Sequence, residues 1–459
     1  MSAPRIVIVG AGPAGTRAAE ALVARGLRPV VIDEAPASGG QIYRRPPAGF
    51  TRSGRALHGF EAARARRLHA AFDALAGAID YRPDTLAWNV AGSAVHVVHD
   101  GRHAAIAHDR LIIASGAFDR VLPFPGWTLP GVFSLGGAQV ALKHQGCAIG
   151  ERVAFAGSGP LLYLVAWQYA KAGADVALVL DGASPAARRR MLAALPTAPA
   201  RIAKGAWYLA GLRVRGIPVI SGARAVAARG DERVTMLAWR DGKGRERETA
   251  CDAIATGHGL APETRLAEIA GCPLAFDPDV RDWLPMTDGD GRTPVEGLYL
   301  AGDGARIAGA DASEVAGTLA ALALLADCGF AVDRARLARL RRARARLDRF
   351  RRAMERAFPY PGDLAAALPD DALLCRCEAI TAGALRAAAS EADAGEINRA
   401  KALTRVGMGR CQGRLCGPAA REILAAARGV ALARVGRLRA QAPARPVPFA
   451  TEPPAETGP

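Results

Sequence analysis

Four of the eight cysteines stand close together late in the chain. They form Cys375-Arg376-Cys377 and, after 33 intervening residues, Cys411-Gln412-Gly413-Arg414-Leu415-Cys416. The other four, Cys147, Cys251, Cys272 and Cys328, are scattered. No secretory leader precedes Ile6-Val7-Ile8-Val9, so the chain is expected in the cytoplasm, where structural disulfides are rare and a cysteine cluster asks for a metal. Four thiolates suit tetrahedral zinc or an iron–sulfur cluster. Structural zinc favours knuckles with two to four residues between the cysteines, and a C-x-C pair with a C-x4-C pair departs from that pattern. Gly407, Gly409 and Gly413 let backbone N–H groups point at cluster sulfur, and Arg376, Arg405, Arg410 and Arg414 add positive charge beside an anionic centre. A 2Fe-2S cluster on Cys375, Cys377, Cys411 and Cys416 is the expectation, with zinc and free thiols as the alternatives.

A second chemistry lies at the start of the chain. Val9-Gly10-Ala11-Gly12-Pro13-Ala14-Gly15 is a complete G-x-G-x-x-G between an apolar strand and a helix. The glycines permit the tight turn and let the backbone approach a pyrophosphate, whose charge the helix N-terminus stabilises. Asp33 and Glu34 close the next strand, and Glu34, 24 positions after Gly10, is placed to accept bonds from ribose hydroxyls. Gly302-Asp303 follows a late strand, where a carboxylate can bond the ribityl chain of a flavin. The helix from about Ser313 to Leu324 would turn its N-terminal end, near Ala312-Ser313-Glu314, toward the flavin N1–C2=O edge. Ala114-Ser115-Gly116 fits the crossover turn that usually reads Ala-Thr-Gly, and Gly39-Gly40-Gln41 lies just past the adenosine strand. FAD is therefore expected on Gly10, Gly12, Pro13, Ala14, Gly15, Asp33, Glu34, Gly40, Gln41, Ser115, Gly116, Gly302 and Asp303. Over residues 4–330 this set resembles the flavoproteins of the glutathione-reductase type, with two dinucleotide-binding domains.

Ala156-Gly157-Ser158-Gly159-Pro160-Leu161-Leu162 opens a second strand–turn–helix unit. Leu162 replaces the third glycine, which normally lets helix and strand pack closely, so the helix is expected to be displaced or the pocket reshaped. Asp181 follows Gly157 by 24 positions, the Gly10–Glu34 spacing. Gly157, Gly159 and Asp181 thus leave two readings open, NAD(H) or another adenine nucleotide, and an empty remnant of the fold. No arginine directly follows Asp181, which favours NADH over NADPH.

Disulfide reductases of this fold need a cysteine pair against the flavin. The first 330 residues contain no such C-x-x-C or C-x4-C pair. Cys147 reads as buried packing, and His144 and His258 as structural histidines. No acid–base constellation for direct substrate oxidation stands out, so no catalytic residue is assigned.

These sites need a scaffold. The chain has 459 residues, enough for about three domains. Half of it is apolar, and Gly is frequent at 51 residues, as many tight βα turns require. Strands at Arg5–Val9, Pro29–Asp33 and 110–116 and a second unit from Arg152 to about Asp181 alternate with helices, and further strands end at Gly257 and Ala301. The expected class is α/β, with two Rossmann-type dinucleotide-binding domains and a small helical cysteine domain. The expected boundaries are 1–118 with 260–330 for FAD, 119–259 for the second nucleotide unit, 331–362 for a basic linker helix, 363–430 for the cluster domain and 431–459 for a flexible tail. Net charge is +16, but only five of the 60 basic residues are lysines, a skew that looks compositional. No nucleic-acid module is visible, so nucleic acid is not an expected partner, and no apolar run is long enough to cross a membrane.

The module from about 370 to 428 resembles the bacterioferritin-associated-ferredoxin-like 2Fe-2S domain, whose ligands match the four cysteines one by one. Nearly the whole chain resembles the FAD-binding alpha subunit of heteromeric bacterial amine dehydrogenases, a group that includes opine oxidase, hydrogen cyanide synthase and proline or hydroxyproline dehydrogenase complexes. Gly39-Gly40-Gln41-Ile42-Tyr43-Arg44, Pro125-Gly126-Trp127-Thr128-Leu129-Pro130-Gly131-Val132 and Gly257-His258-Gly259-Leu260-Ala261-Pro262 carry that likeness. The resemblance implies a beta subunit of D-amino-acid-oxidase type that oxidises a C–N bond, a small ferredoxin-like subunit, and electrons relayed toward a respiratory acceptor. Membrane association would then be peripheral and through the complex, with the basic helix 334–356 as a docking element. Two other readings stay open: an NAD(P)H-dependent ferredoxin or nitrite reductase-like flavoprotein, and a non-enzymatic iron–sulfur scaffold or sensor.

Overall fold

The computed structural model describes residues 3–449 apart from 48, 193–195 and 197, with the backbone alone for 185, 188, 191 and 192. Ile6–Val9 is apolar throughout because it runs through the middle of a sheet covered on both faces. That sheet is parallel, in the order Leu298–Leu300, Arg110–Ile113, Ile6–Val9, Val30–Ile32 and Asp80–Arg82. Helices Pro13–Val23 and Ala310–Asp327 pack against each other over one face. Their approach depends on Gly317, where a Cβ would overlap the Ala14 backbone. An antiparallel meander, Leu86–Ala91, Ala94–His99 and Arg102–Ala107, precedes Arg110.

The chain leaves this unit through Ala117–Asp119 and returns through Leu260–Pro262, and the two strands pair antiparallel. Between them lies a second parallel sheet, in the order Val219–Ser221, Asp175–Asp181, Arg152–Ser158, Ala253–His258 and Val132–Ser134. One dinucleotide-binding unit is thus inserted into another, and the fold is α/β.

Helix Arg334–Ala357 follows, its N-terminus capped by Asp333, whose carboxylate accepts from Ala335 N at 2.8 Å and Arg336 N at 3.0 Å. Leu337 and Leu340 pack on the first core, and Arg351 pairs with Asp348 at 3.2 Å and with Glu355 at 2.5 Å. The last module sets a hairpin, Leu373–Cys375 with Ile380–Thr381, against helices Ala382–Ser390, Ile397–Thr404 and Gly417–Arg428. Leu374, Leu385, Ile397, Val406, Ile423 and Leu424 are fully buried in its core.

The tail departs from expectation. Residues 431–448 are held rather than free. Val435 is fully buried, Arg437 O accepts from Asn398 Nδ2 at 2.9 Å, Ala444 N donates to Trp88 O at 2.8 Å, and His103 Nε2 bonds Pro448 O at 2.8 Å. The Pro- and Ala-rich composition lacks a core of its own, but its backbone groups find partners on two other modules. Residues 450–459 of the expected tail lie outside the described residues.

Candidate functional site

The first glycine turn is built by contacts that exclude side chains. Gly10 takes φ +105, and a Cβ at Gly10 or Gly15 would overlap the carbonyl oxygen of Ala114 or Gly10, respectively. Gly12 caps the helix and Pro13 opens it, where no N–H is needed. Asp33 is buried and accepts from Ala11 N at 2.5 Å and Ala35 N at 2.8 Å. Burial raises its pKa, and those two bonds oppose the rise. Asp33 therefore pins the turn to the end of the second strand. Glu34, next to it, is exposed and lies 2.8 Å from Arg445 of the tail.

Gly39 N donates to Ala11 O at 2.9 Å, which lays Gly40 against Gly12. Gln41 is exposed, with its Oε1 accepting from Arg44 at 2.6 Å. Across the sheet, Ala14 and Ser313 crowd Gly302. Asp303 Oδ1 accepts from Ala308 N at 2.8 Å, Gly309 N at 3.0 Å and Ser313 Oγ at 3.3 Å. Burial raises the Asp303 pKa against those bonds. All three fall on Oδ1, which leaves Oδ2 for a ligand hydroxyl. A Cβ at Gly116 would meet nothing within 4 Å, and one at Gly12 nothing nearer than Gly40 at 3.6 Å, so both line open space. Bare backbone at a helix start, a pinned turn and two carboxylates at opposite ends fit an extended dinucleotide such as FAD. Ser115 donates through Oγ to Glu263 O at 2.6 Å.

The second turn differs from the first in three ways. Leu162 is completely buried among Phe155, Val165 and Val179, so the core absorbs it. Strand register then changes the meaning of Asp181. Val9 pairs with Ile32, which sets Gly10 opposite Asp33, while Gly157 pairs with Asp181 directly. Asp181 is thus the counterpart of Asp33, and like Asp33 it accepts from the N–H two residues on, here Ala183 at 2.9 Å. The equal spacing to Glu34 arises from a bulge at Ala177 that adds one residue to the strand. The counterpart of Glu34 is Gly182, so the expected ribose-binding acid is not at that position. Asp181 is also buried and accepts the Tyr163 hydroxyl at 2.5 Å.

The four clustered cysteines converge. Cys375 ends the hairpin strand and Cys416 caps helix Gly417–Arg428. The Cys416 thiol contacts both Cys375 and Cys411, and Cys377 contacts Cys411. A Cβ at Gly409 would overlap Cys377 Cβ. Backbone N–H groups of Gly407, Cys377 and Glu378 serve Cys375, and those of Leu415 and Gly413 serve Cys411. The bond from Cys416 and these amides, working against burial, lower Cys375 to about 6 and Cys411 to about 5, while Cys416 is raised. Two thiolates with donors aimed at sulfur fit an anionic cluster's ligands. No three His, Cys, Asp or Glu side chains among the described residues surround a single-ion position; the thiols touch in sequence, Cys375 to Cys416 to Cys411 to Cys377. Of the expected arginines, Arg405 pairs with Glu378 at 2.8 Å and Arg376 lies over the Trp127 ring at 5.9 Å.

Arg414, inside the cysteine loop, forms an ion pair with Glu263, and their side chains are 11% and 9% exposed. Arg265 reinforces the joint, donating to Gln412 O at 2.8 Å and approaching Glu263 at 3.4 Å. Through Glu263 O and Ser115 Oγ the cysteine loop is tied to the crossover turn of the first unit. Trp127 Nε1 donates to Leu373 O at 2.6 Å, and Arg281 grips Glu422 through bonds of 2.7 and 2.6 Å. Nothing in the local sequence singles out Glu263, Arg265, Tyr163 and Arg445, because each acts through a partner far away along the chain or through register. Cys147 is exposed, contrary to the expectation of buried packing. His258 bonds Ser158 at 3.2 Å, and burial lowers its pKa to about 4, while His144 bonds Arg45 O at 3.2 Å.

Residues 4–322 match the family described as pyridine nucleotide-disulphide oxidoreductase, and residues 373–426 match the BFD-like 2Fe-2S binding domain. An opine oxidase subunit of Rhizobium meliloti is 36% identical over 97% of this chain and 86% of that protein. The hydrogen cyanide synthase subunit HcnB of Pseudomonas aeruginosa is 34% identical over 97% of each. The crystal structure of L-proline dehydrogenase from P. horikoshii shares the fold, with a TM-score of 0.71 at 20% identity over 97% of this chain and 78% of that one.

Proposed function

This chain belongs to the pyridine nucleotide-disulphide oxidoreductase family and carries a BFD-like 2Fe-2S domain, and on that premise we propose that it is the electron-transfer subunit of a heteromeric dehydrogenase whose partner chain oxidises a carbon–nitrogen bond. The observation that carries this reading is the joint from Ser115 through Glu263 to Arg414, which ties a dinucleotide site to a cysteine cluster within one chain. FAD and the cluster, when bound, supply exchange between paired and single electrons.

The residues divide the remaining work. Gly10, Gly12 and Gly15 hold backbone against the pyrophosphate, Asp303 orients the ribityl chain, and Glu34 receives the ribose hydroxyls. The start of helix Ala310–Asp327 favours negative charge beside it. Cys375, Cys377, Cys411 and Cys416 hold the cluster, and Arg414 sets a buried positive charge next to it. No residue of this chain is assigned a proton-transfer step with substrate; that role falls to a D-amino-acid-oxidase-like partner. The relatives' names, which mark them as parts of larger enzymes, support a complex, and opine, proline and cyanide-forming activities support an amino-acid-derived donor. A respiratory acceptor and a small ferredoxin-like subunit complete the proposed chain. No helix among the described residues is long and apolar enough to cross a membrane.

The reading as an NAD(P)H-dependent reductase is disfavoured by Gly182 in the ribose-acid position and by Tyr163 on Asp181. An anaerobic titration of the FAD-loaded chain distinguishes the two. Flavin and cluster absorbance are expected to bleach with dithionite and to stay unchanged with NADH or NADPH. Rapid bleaching by either nicotinamide would overturn the proposal.

A further inference from the structure

A cavity of about 530 Å³ opens where both nucleotide units meet the connecting helix Arg334–Ala357. It is distinct from the dinucleotide site. On helix Ala310–Asp327, Asp311, Glu314 and Val315 line it, at i, i+3 and i+4. Ser313, which bonds Asp303, and Gly317, which meets Ala14, lie on the opposite side of that helix at about 100° per residue.

Five guanidinium groups converge on this space: Arg17, Arg64, Arg67, Arg201 and Arg346. Two carboxylates face them. Glu314 pairs with Arg17 at 2.8 Å, Asp311 is shared between Arg64 and Arg201, and from outside the cavity Glu20 pairs with Arg17 at 2.8 Å and Glu61 lies 3.6 Å from Arg64. Arg67 and Arg346 are exposed and have no carboxylate partner among the described residues. The cavity therefore carries a surplus of positive charge in a concave site drawn from three parts of the chain, where field lines focus and like charges repel. The wall is also partly apolar, through Val315, Leu347 and Phe350, with Arg201 over the Phe350 ring at 5.0 Å. Forked donors over an apolar floor suit an organic anion, and the volume suits a small molecule.

We propose that this cavity binds a small organic polyanion, a polycarboxylate or a phosphate ester. Arg67 and Arg346 are its first contacts, and Arg64 and Arg201 are shared between it and Asp311. Such a ligand would clamp the connecting helix to both nucleotide units.

The test is isothermal titration of the full, flavin-loaded chain with citrate and with inorganic pyrophosphate, at ionic strength held constant by sodium chloride. Saturable binding of at least one probe is expected, weakened about tenfold or more in the Arg67→Gln/Arg346→Gln double variant. Both side chains are exposed and lack a carboxylate partner among the described residues, so the variant should keep its melting temperature, which checks its folding. A rise in melting temperature with the bound probe is expected in the wild type and not in the variant. Preference for citrate would assign the polycarboxylate class, and preference for pyrophosphate the phosphate class. Absence of saturable binding by both probes, or equal affinity in the double variant, would overturn the proposal.

Discussion

Arg445 Nη1 stands 2.8 Å from Glu34 Oε2, so the C-terminal segment passes over the carboxylate that is proposed to receive the ribose hydroxyls at the first glycine turn. On the way there, Leu438 lies against Gly407, Gly413 and Gly417 of the cysteine module, and Ala444 O accepts from Arg414 at 3.2 Å. One strap therefore touches the cysteine loop and the nucleotide site.

The Arg445–Glu34 pair is exposed on both sides, and such pairs contribute below about 1 kcal/mol. Arg445→Ala is expected to leave global stability nearly unchanged but to speed proteolysis of residues 437–448 and release of FAD on dilution. Limited digestion and flavin fluorescence measure the two effects.

Glu263 presents the opposite case. Burial would raise its pKa, but Arg265 and Arg414 outweigh burial and hold it below its ordinary value of 4.5. Removing one member of a buried pair typically costs about 3 kcal/mol or more. Glu263→Gln should therefore lower the melting temperature and loosen the cysteine module. A depressed carboxylate pKa gives stability that is fully present above the unfolded value and lost as pH falls through the folded one. The gap between wild type and variant should be constant near neutrality and shrink below pH 4.5. A gap independent of pH down to the acid transition would contradict the ion-pair account.

Each of Cys375→Ser, Cys377→Ser, Cys411→Ser and Cys416→Ser is expected to abolish or severely weaken the cluster's visible absorption and its reduced-state paramagnetic signal. Flavin content should persist, because the glycine site is formed by a separate unit. Four variants with unchanged iron and spectra would refute this ligand assignment.

Tyr163→Phe removes one donor from the buried Asp181, which keeps its bond from Ala183 N, a loss of about 1 kcal/mol. The variant should melt earlier yet remain unreduced by NADH, since Gly182 still stands where the ribose acid is needed. Gain of NADH-dependent bleaching on this single change would show that Tyr163 alone had closed the site.

Much of the dinucleotide and cysteine chemistry was legible in the sequence because its causes are local. Gly10 and Gly15 are glycine because the backbone passes too close for a Cβ, and that demand is written at fixed spacing beside a strand and a helix. The C-x-C and C-x4-C pairs likewise announce four thiols whatever the fold around them. Tertiary structure decided the rest. Whether Asp181 matches Asp33 or Glu34 hung on one bulged residue, which spacing alone hides. The Glu263–Arg414 joint and the Arg445–Glu34 strap unite residues more than a hundred positions apart, and nothing local selects such partners. The tail's composition offered no core of its own, yet its hydrogen bonds and buried Val435 are supplied by other modules, so only their assembly could order it.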